Sequence, residues 1–191
     1  MMSDAELIQR LVAKDNGAFK DLVETYQSMV YKACFNLLRQ PEDAEDIAQD
    51  VFIEVYESID QFRHLSKLST WLYRIAINKS LNHLRKTKRK SLVSSIEQFF
   101  SSDKNTALDI EDKTANDSPH SIDYKERSKV LQSAIDSLPE NQRIAFTLNK
   151  FDELSYQEIT EVMGLSMASV ESLIHRAKLS LQKKLIYYYK N

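Results

Sequence analysis

The sequence predicts an all-α protein: two small helical domains joined by an acidic flexible linker, the second ending in a helix-turn-helix. Three features lead there. Only two glycines and three prolines occur in 191 residues, too few for the tight turns of hairpins and sheets. Apolar residues recur at three- and four-residue spacing through most of the chain. That periodicity fades between Ser91 and Asp123, where Ser, Asp and Asn accumulate, and then resumes. The expected division is therefore a domain over 1–90, a linker over 91–123 and a second domain over 124–191.

Taken in order, Ser3 and Glu6 have the spacing of a capping box and open a first helix with Leu7, Ile8, Leu11 and Val12 on one side, stopped by Asn16-Gly17. The stripe Phe19, Leu22, Val23, Tyr26, Val30, Ala33, Cys34 and Leu37 predicts a second helix from Ala18 to Leu38. Pro41 suits the first turn of a third, where Glu42, Asp43, Glu45 and Asp46 favour the positive end of the helix dipole. Its buried face is Ile47, Val51, Val55 and Ile59. A fourth helix starts near Ser69 and Thr70 and runs to about Lys90, with Leu72, Ile75, Ala76 and Leu84 inward.

Beyond the linker, Val130, Leu131, Ala134, Ile135 and Leu138 mark a fifth helix, and Pro139 begins a sixth carrying Ile144, Ala145, Phe146 and Leu148. Ser155 and Glu158 form a second capping box before Ile159, Val162 and Met163, and Gly164 stops that short helix. The last helix, from Met167 to Leu185, buries Val170, Leu173, Ile174, Ala177 and Leu181.

A net charge of −2 hides a segregation along the chain. Pro41 to Asp60 holds eight acidic residues and no basic one, whereas Gln61 to Lys90 holds nine basic residues and no acid. Residues 97–126 carry eight acids against three lysines, and residues 163–191 carry five basic residues against Glu171 alone. A polyanion is attracted to only two of these four blocks, so they point to separate partners.

Composition also excludes. Without glycine-rich loops there is no nucleotide site of the GxGxxG or GxxxxGK kind. His64, His83, His120 and His175 are scattered, and the lone Cys34 lies in an apolar stretch, so neither a metal, a cofactor nor an internal disulfide is expected. The start lacks a basic leader followed by an apolar run, and no run approaches the ~18 residues of a membrane span. A cytoplasmic protein with no membrane insertion is expected.

The short helix, Gly-Leu-Ser turn and longer basic helix of residues 155–182 fit a helix-turn-helix, whose second helix enters the major groove. With Val170, Leu173 and Ile174 inward, Ser169, Glu171, Ser172, His175, Arg176 and Lys178 are the candidates to face DNA. Arg176 and Lys178 suit phosphates or guanine, and Glu171 suits a cytosine amino group. An ordinary helical hairpin with a solvated charged face is the competing reading. Between Phe62 and Arg89, cations are interleaved with Trp71, Tyr73, Asn78, Asn82 and His83. Single-stranded nucleic acid calls for that mixture, with cations on phosphates, rings on bases and amides on unpaired edges. Trp71 as plain core is the alternative.

Four segments in order resemble the extracytoplasmic-function sigma factors of the sigma-70 family: AFKDLVETYQSMVYKACFNLL, PEDAEDIAQDVFIEVYESIDQF, LSTWLYRIAINKSLNHLRKTKRK and SLPENQRIAFTLNKFDELSYQEITEVMGLSMASVESLIHRAKLSLQKKL. They cover most of residues 17–185 and leave the linker unmatched. The resemblance implies a promoter-specificity subunit of RNA polymerase that is not itself an enzyme. It places core polymerase on the third helix, through Asp46, Gln49, Asp50, Phe52, Glu54 and Glu57. It places the melted non-template strand of the minus-ten element on Arg63, Lys67, Trp71, Tyr73, Arg74, Asn78, Lys79, Asn82 and Arg85. The duplex minus-thirty-five element falls to Ser169, Glu171, Ser172, His175, Arg176 and Lys178. There the chain departs from the family, which usually carries a basic residue at Glu171 and an arginine at Leu173. An anti-sigma factor is a further candidate partner. A self-sufficient helix-turn-helix regulator would need a dimer to read two half-sites, and it leaves the acidic and the aromatic basic helices unexplained.

Overall fold

The computed structural model describes residues 3–15, 17–62, 66–100 and 119–190, with the backbone alone described for 92–100, 119–125 and 189–190. Eight α-helices occupy the described residues: α1 (Asp4–Val12), α2 (Ala18–Leu38), α3 (Pro41–Ser58), α4 (Leu68–Phe100), α5 (Pro119–Asp136), α6 (Glu140–Lys150), α7 (Tyr156–Met163) and α8 (Met167–Lys190). A 3₁₀ turn, Ile59–Gln61, finishes α3.

The helix ends follow local chemistry. The Ser3 hydroxyl accepts from the Glu6 amide at 3.2 Å and caps α1. Pro41 sits in the first turn of α3 beside Glu42 and Asp43. Ser155 and Glu158 satisfy one another's backbone amides in a complete capping box at the start of α7. Gly164 closes α7 at φ 65°, a left-handed conformation that costs a residue with a Cβ about 1–2 kcal/mol. Two helices run further than expected. From Ser91 to Phe100 there is neither glycine nor proline, so α4 continues past Lys90, and α8 continues past Leu185 to Lys190. Residues 101–118 of the expected linker lie outside the described residues.

α2, α3 and α4 pack against one another, and α1 lies on α2. Leu11, Leu22, Val30, Val51, Val55, Ile59, Leu68 and Leu72 are fully buried between them. Removing each such side chain from water is worth about 1.5–3 kcal/mol. Cys34 is in this core near Ser80, and burial pushes its thiol up to about 11. The apolar contact does not stop at the expected domain boundary. Ile144, Leu148, Leu154, Ile159, Val162, Val170 and Ile174 belong to the same buried cluster, so α7 packs on α4 and α6 on α2. A smaller core of Ala134, Ile135, Leu138, Ala177 and Leu181 ties α5 to α8. Leu131, expected inward, is 40% exposed because Ala134, Ile135 and Leu138 fill the contact instead.

Candidate nucleic-acid interface

Burial on α4 falls on Leu68, Leu72, Tyr73, Ile75, Ala76, Ile77, Ser80 and Leu81, which leaves one side of the helix to water. Lys67, Arg74, Asn78, Asn82 and Arg85 are all exposed. Their spacing of seven, four, four and three residues keeps them on one row. The remaining minus-ten candidates are placed differently. Trp71 is half-buried, its ring 5.2 Å from that of Phe62, and packing fixes it beside the cationic row. Tyr73 is 9% exposed and its ring belongs to the core. This is a correction to the expectation that it faces DNA, and its phenol is pushed well above the ordinary range by burial. Lys79 bonds to Glu54 at 2.8 Å and joins α4 to α3. Arg63 lies outside the described residues.

On α3, Asp46, Gln49, Asp50, Glu54 and Glu57 are exposed. Glu54 is the one turned toward Lys79. Phe52, expected among the polymerase-binding side chains, is 6% exposed and forms a wall of the groove between α2 and α3, which Val23, Gln27, Tyr31 and Gln49 also line. The sequence reading missed Ile53, which is 52% exposed in the middle of the acidic face. Its signal was available: an isoleucine off the buried stripe of Ile47, Val51 and Val55.

α8 follows the helix-turn-helix expectation. Val170, Ile174, Ala177 and Leu181 are buried, while Ser169, Glu171, Ser172, His175, Arg176 and Lys178 are exposed. Ser166 caps the helix, accepting from the Ser169 amide at 3.3 Å, and the two hydroxyls lie 2.9 Å apart. Asn141 of α6 shares a shallow depression with Ser169, Ser172 and Arg176. No spacing pattern could have linked it to them.

The chain also brings α4 and the C-terminal helices face to face. Lys67 pairs with Glu158 at 3.2 Å, Arg85 with Glu140 at 2.6 Å, and the Arg74 Nε donates to the Glu161 carbonyl at 2.8 Å. The Ser155 hydroxyl and amide, with Lys67 behind them, hold the Glu158 carboxyl below its usual range. Nearby, Asn36 of α2 donates to Asp152 at 3.0 Å, and Arg39 lies over the Phe151 ring at 5.2 Å. Burial raises the Asp152 carboxyl to about 6, against the opposing pull of Asn36, Arg39 and Lys32. Arg39 ends α2 in a left-handed conformation, φ 61°, and desolvation lowers its pKa. To these anionic partners the sequence reading gave no role in this contact, having placed Glu158 only in a capping box. Residues 151–161 hold four acids and no basic residue, a block complementary to α4 that charge counting could have found.

Among the described residues no three His, Cys, Asp or Glu side chains are grouped to hold a metal, and no helix is long and apolar enough to cross a membrane.

Comparison with known proteins agrees with this layout. Residues 22–90 match the family model for Sigma-70 region 2, and residues 128–181 match that for Sigma-70, region 4. The ECF RNA polymerase sigma factor SigW of Bacillus subtilis is 34% identical over 182 residues, which span 93% of this chain and 94% of that protein. In fold, the chain resembles CnrH, solved in complex with the cytosolic domain of CnrY, at TM-score 0.68 and 22% identity, covering 96% of this chain and 97% of CnrH. It also resembles the sigma factor RpoE of Bartonella quintana, solved with the anti-sigma factor NepR, at TM-score 0.62 and 21% identity, covering 88% and 97%. With both sigma-70 regions in order and a relative this similar along nearly its whole length, the chain belongs to the extracytoplasmic-function sigma factors of the sigma-70 family.

Proposed function

We propose that this sigma factor, which directs promoter-specific transcription initiation, divides its work among three surfaces. The acidic side of α3, with Asp46, Gln49, Asp50 and Glu57 around Ile53, binds core RNA polymerase, since an apolar side chain ringed by charge suits a protein partner. The row Lys67, Arg74, Asn78, Asn82 and Arg85, with Trp71 beside it, takes the separated non-template strand at minus ten. Capturing an unpaired base offsets the few kcal/mol of unpairing, so melting needs no nucleotide hydrolysis. The exposed face of α8 reads the duplex at minus thirty-five, and Asn141 extends that face toward the phosphates.

The observation that carries this reading is the single exposed row of cations and amides on α4, set against buried apolar residues on its other side. In this reading the domains are residues 1–90 and 124–191 with a linker over 91–123, a division supported by the matched segments 22–90 and 128–181. The protein acts as a specificity subunit without chemistry of its own, in the cytoplasm with the polymerase, and an anti-sigma protein is its regulator, as NepR is partnered with RpoE. Transcription by purified core polymerase from a library of randomised promoters tests the assignment. The expected result is a selected pair of elements, with Arg74→Ala abolishing opening and Arg176→Ala weakening only the upstream element. Selection unchanged by either substitution would remove these surfaces from the mechanism.

A further inference from the structure

Glu171 is the one acidic residue between Met163 and Asn191, set against five basic ones, and it stands on the side of α8 that water reaches. On a surface offered to a polyanion, such a carboxylate lowers affinity for every sequence alike unless a group on the DNA bonds to it. Among the described residues it enters no ion pair and no hydrogen bond. Nor does it serve the start of the helix. Ser166 caps α8, the first turn holds no acid, and Glu171 lies beyond that turn, where the effect of the helix dipole has faded.

Its surroundings suit close contact with bases. Ala168, Ser169 and Ser172 bring short side chains to the exposed face, where they line a shallow depression with Asn141 and Arg176. Short side chains let a helix sit deep in the major groove, because nothing long stands between its backbone and the base edges. At 3.6 residues per turn, Glu171 and Arg176 are about 140° apart around α8. They therefore flank Ala168 and Ser172 from opposite sides, and a helix seated on that strip carries both side chains to the base edges.

An ionised carboxylate can only accept hydrogen bonds. In the major groove guanine shows the acceptors N7 and O6, and thymine shows the acceptor O4 and a methyl group, so neither offers it a donor. Adenine and cytosine each supply an amino group. Adenine sets the acceptor N7 beside that group, opposed to the second carboxylate oxygen, whereas the major-groove edge of cytosine carries no acceptor. We infer that Glu171 selects a cytosine in the upstream duplex, its carboxylate accepting from the N4 amino group, and that this bond offsets the repulsion by neighbouring phosphates. This rests on the assignment of the exposed face of α8 to the minus-thirty-five element, and it names one base that the face requires. Arg176, which suits guanine or phosphate, acts at another point of the same element.

Selection by holoenzyme tests this. A promoter recovered from the randomised library is randomised again over its upstream element alone. Holoenzymes carrying the wild-type chain, Glu171→Ala or Glu171→Gln transcribe it, and the templates used are sequenced. Circular dichroism checks that each variant keeps its helix content. The wild-type chain should favour cytosine over guanine and thymine by at least about fivefold at one position. Glu171→Ala should flatten that position and leave the others as they are. Glu171→Gln should move it toward adenine, whose N6 and N7 match a glutamine amide. A wild-type preference for guanine or thymine at the position sensitive to Glu171 overturns the inference. So does an unchanged preference in both variants, and a uniform rise in affinity would then mark a carboxylate that only repels phosphates. Arg176→Ala separates this failure from that of the α8 assignment. Reduced upstream selection there keeps α8 as a reading surface whichever way Glu171 behaves, and upstream selection unchanged in all three variants removes the face itself.

Discussion

The seam where α6 and α7 pack on α2 and α4 in this closed form should respond to pH through Asp152, and the direction follows from where its partners lie. Asn36, Arg39 and Lys32 on α2 face it across the seam, Cys34 and Tyr73 lie within its field, and Asp136 and Arg143 act on Arg39 from α5 and α6. In the closed form its carboxyl takes up a proton near pH 6, whereas exposed carboxyls do so near 3.8. A raised carboxyl favours the closed form where it is protonated, fully so below 3.8, and that contribution is lost as pH rises through about 6. Between pH 8 and pH 5 the closed form therefore gains about tenfold, or about 1.4 kcal/mol. Energy transfer between dyes on Lys20→Cys and Lys183→Cys would report it, with efficiency expected to rise as pH falls. Asp152→Asn removes the titration and should flatten the response. His83, which also meets a carboxylate, joins α4 to Asp43 of α3 and does not cross the seam. The same pH response in Asp152→Asn, or opening as pH falls, would refute the reasoning.

Three further outcomes are expected. Trp71→Ala should slow open-complex formation by the equivalent of about 1–3 kcal/mol of lost base stacking, with core binding by gel-shift unchanged; equal loss of both would mean that the ring only supports Phe62. Arg176→Ala should weaken binding to upstream duplex by about 1–3 kcal/mol and leave transcription from a premelted template intact, and unchanged duplex affinity would take Arg176 off the reading surface. Gly164→Ala should lower thermal stability by about 1–2 kcal/mol through backbone strain. Space is not the obstacle there, since a Cβ would meet only the Arg74 Nη2 at 4.0 Å; an unshifted melting curve would show that the turn relaxes.

The parts of this protein that were legible in its sequence are those decided within a few residues. Pro41, the Ser155–Glu158 box and Gly164 set helix ends by local geometry, and α3 and α7 begin and end accordingly. The outward face of α8 follows from the period of Val170, Ile174, Ala177 and Leu181. What escaped was decided at long range. Tyr73 and Phe52 look like surface aromatics until α2 and the C-terminal domain cover them. The pairs Lys67–Glu158 and Arg85–Glu140 join residues 91 and 55 positions apart, beyond any helical period. The end of α4 was misplaced because Ser91–Phe100 is polar enough to weaken periodicity yet contains no residue that breaks a helix.

Cys34 is the only cysteine in the sequence, and the packing of the N-terminal bundle encloses it completely. Thiolates, not thiols, react with peroxides and disulfides, and a thiol pushed up to about 11 is almost entirely protonated at neutral pH. Oxidants therefore find no reactive thiol on the folded protein. A signal carried by thiol chemistry must then be sensed by another molecule and delivered to this one as a change of binding partner.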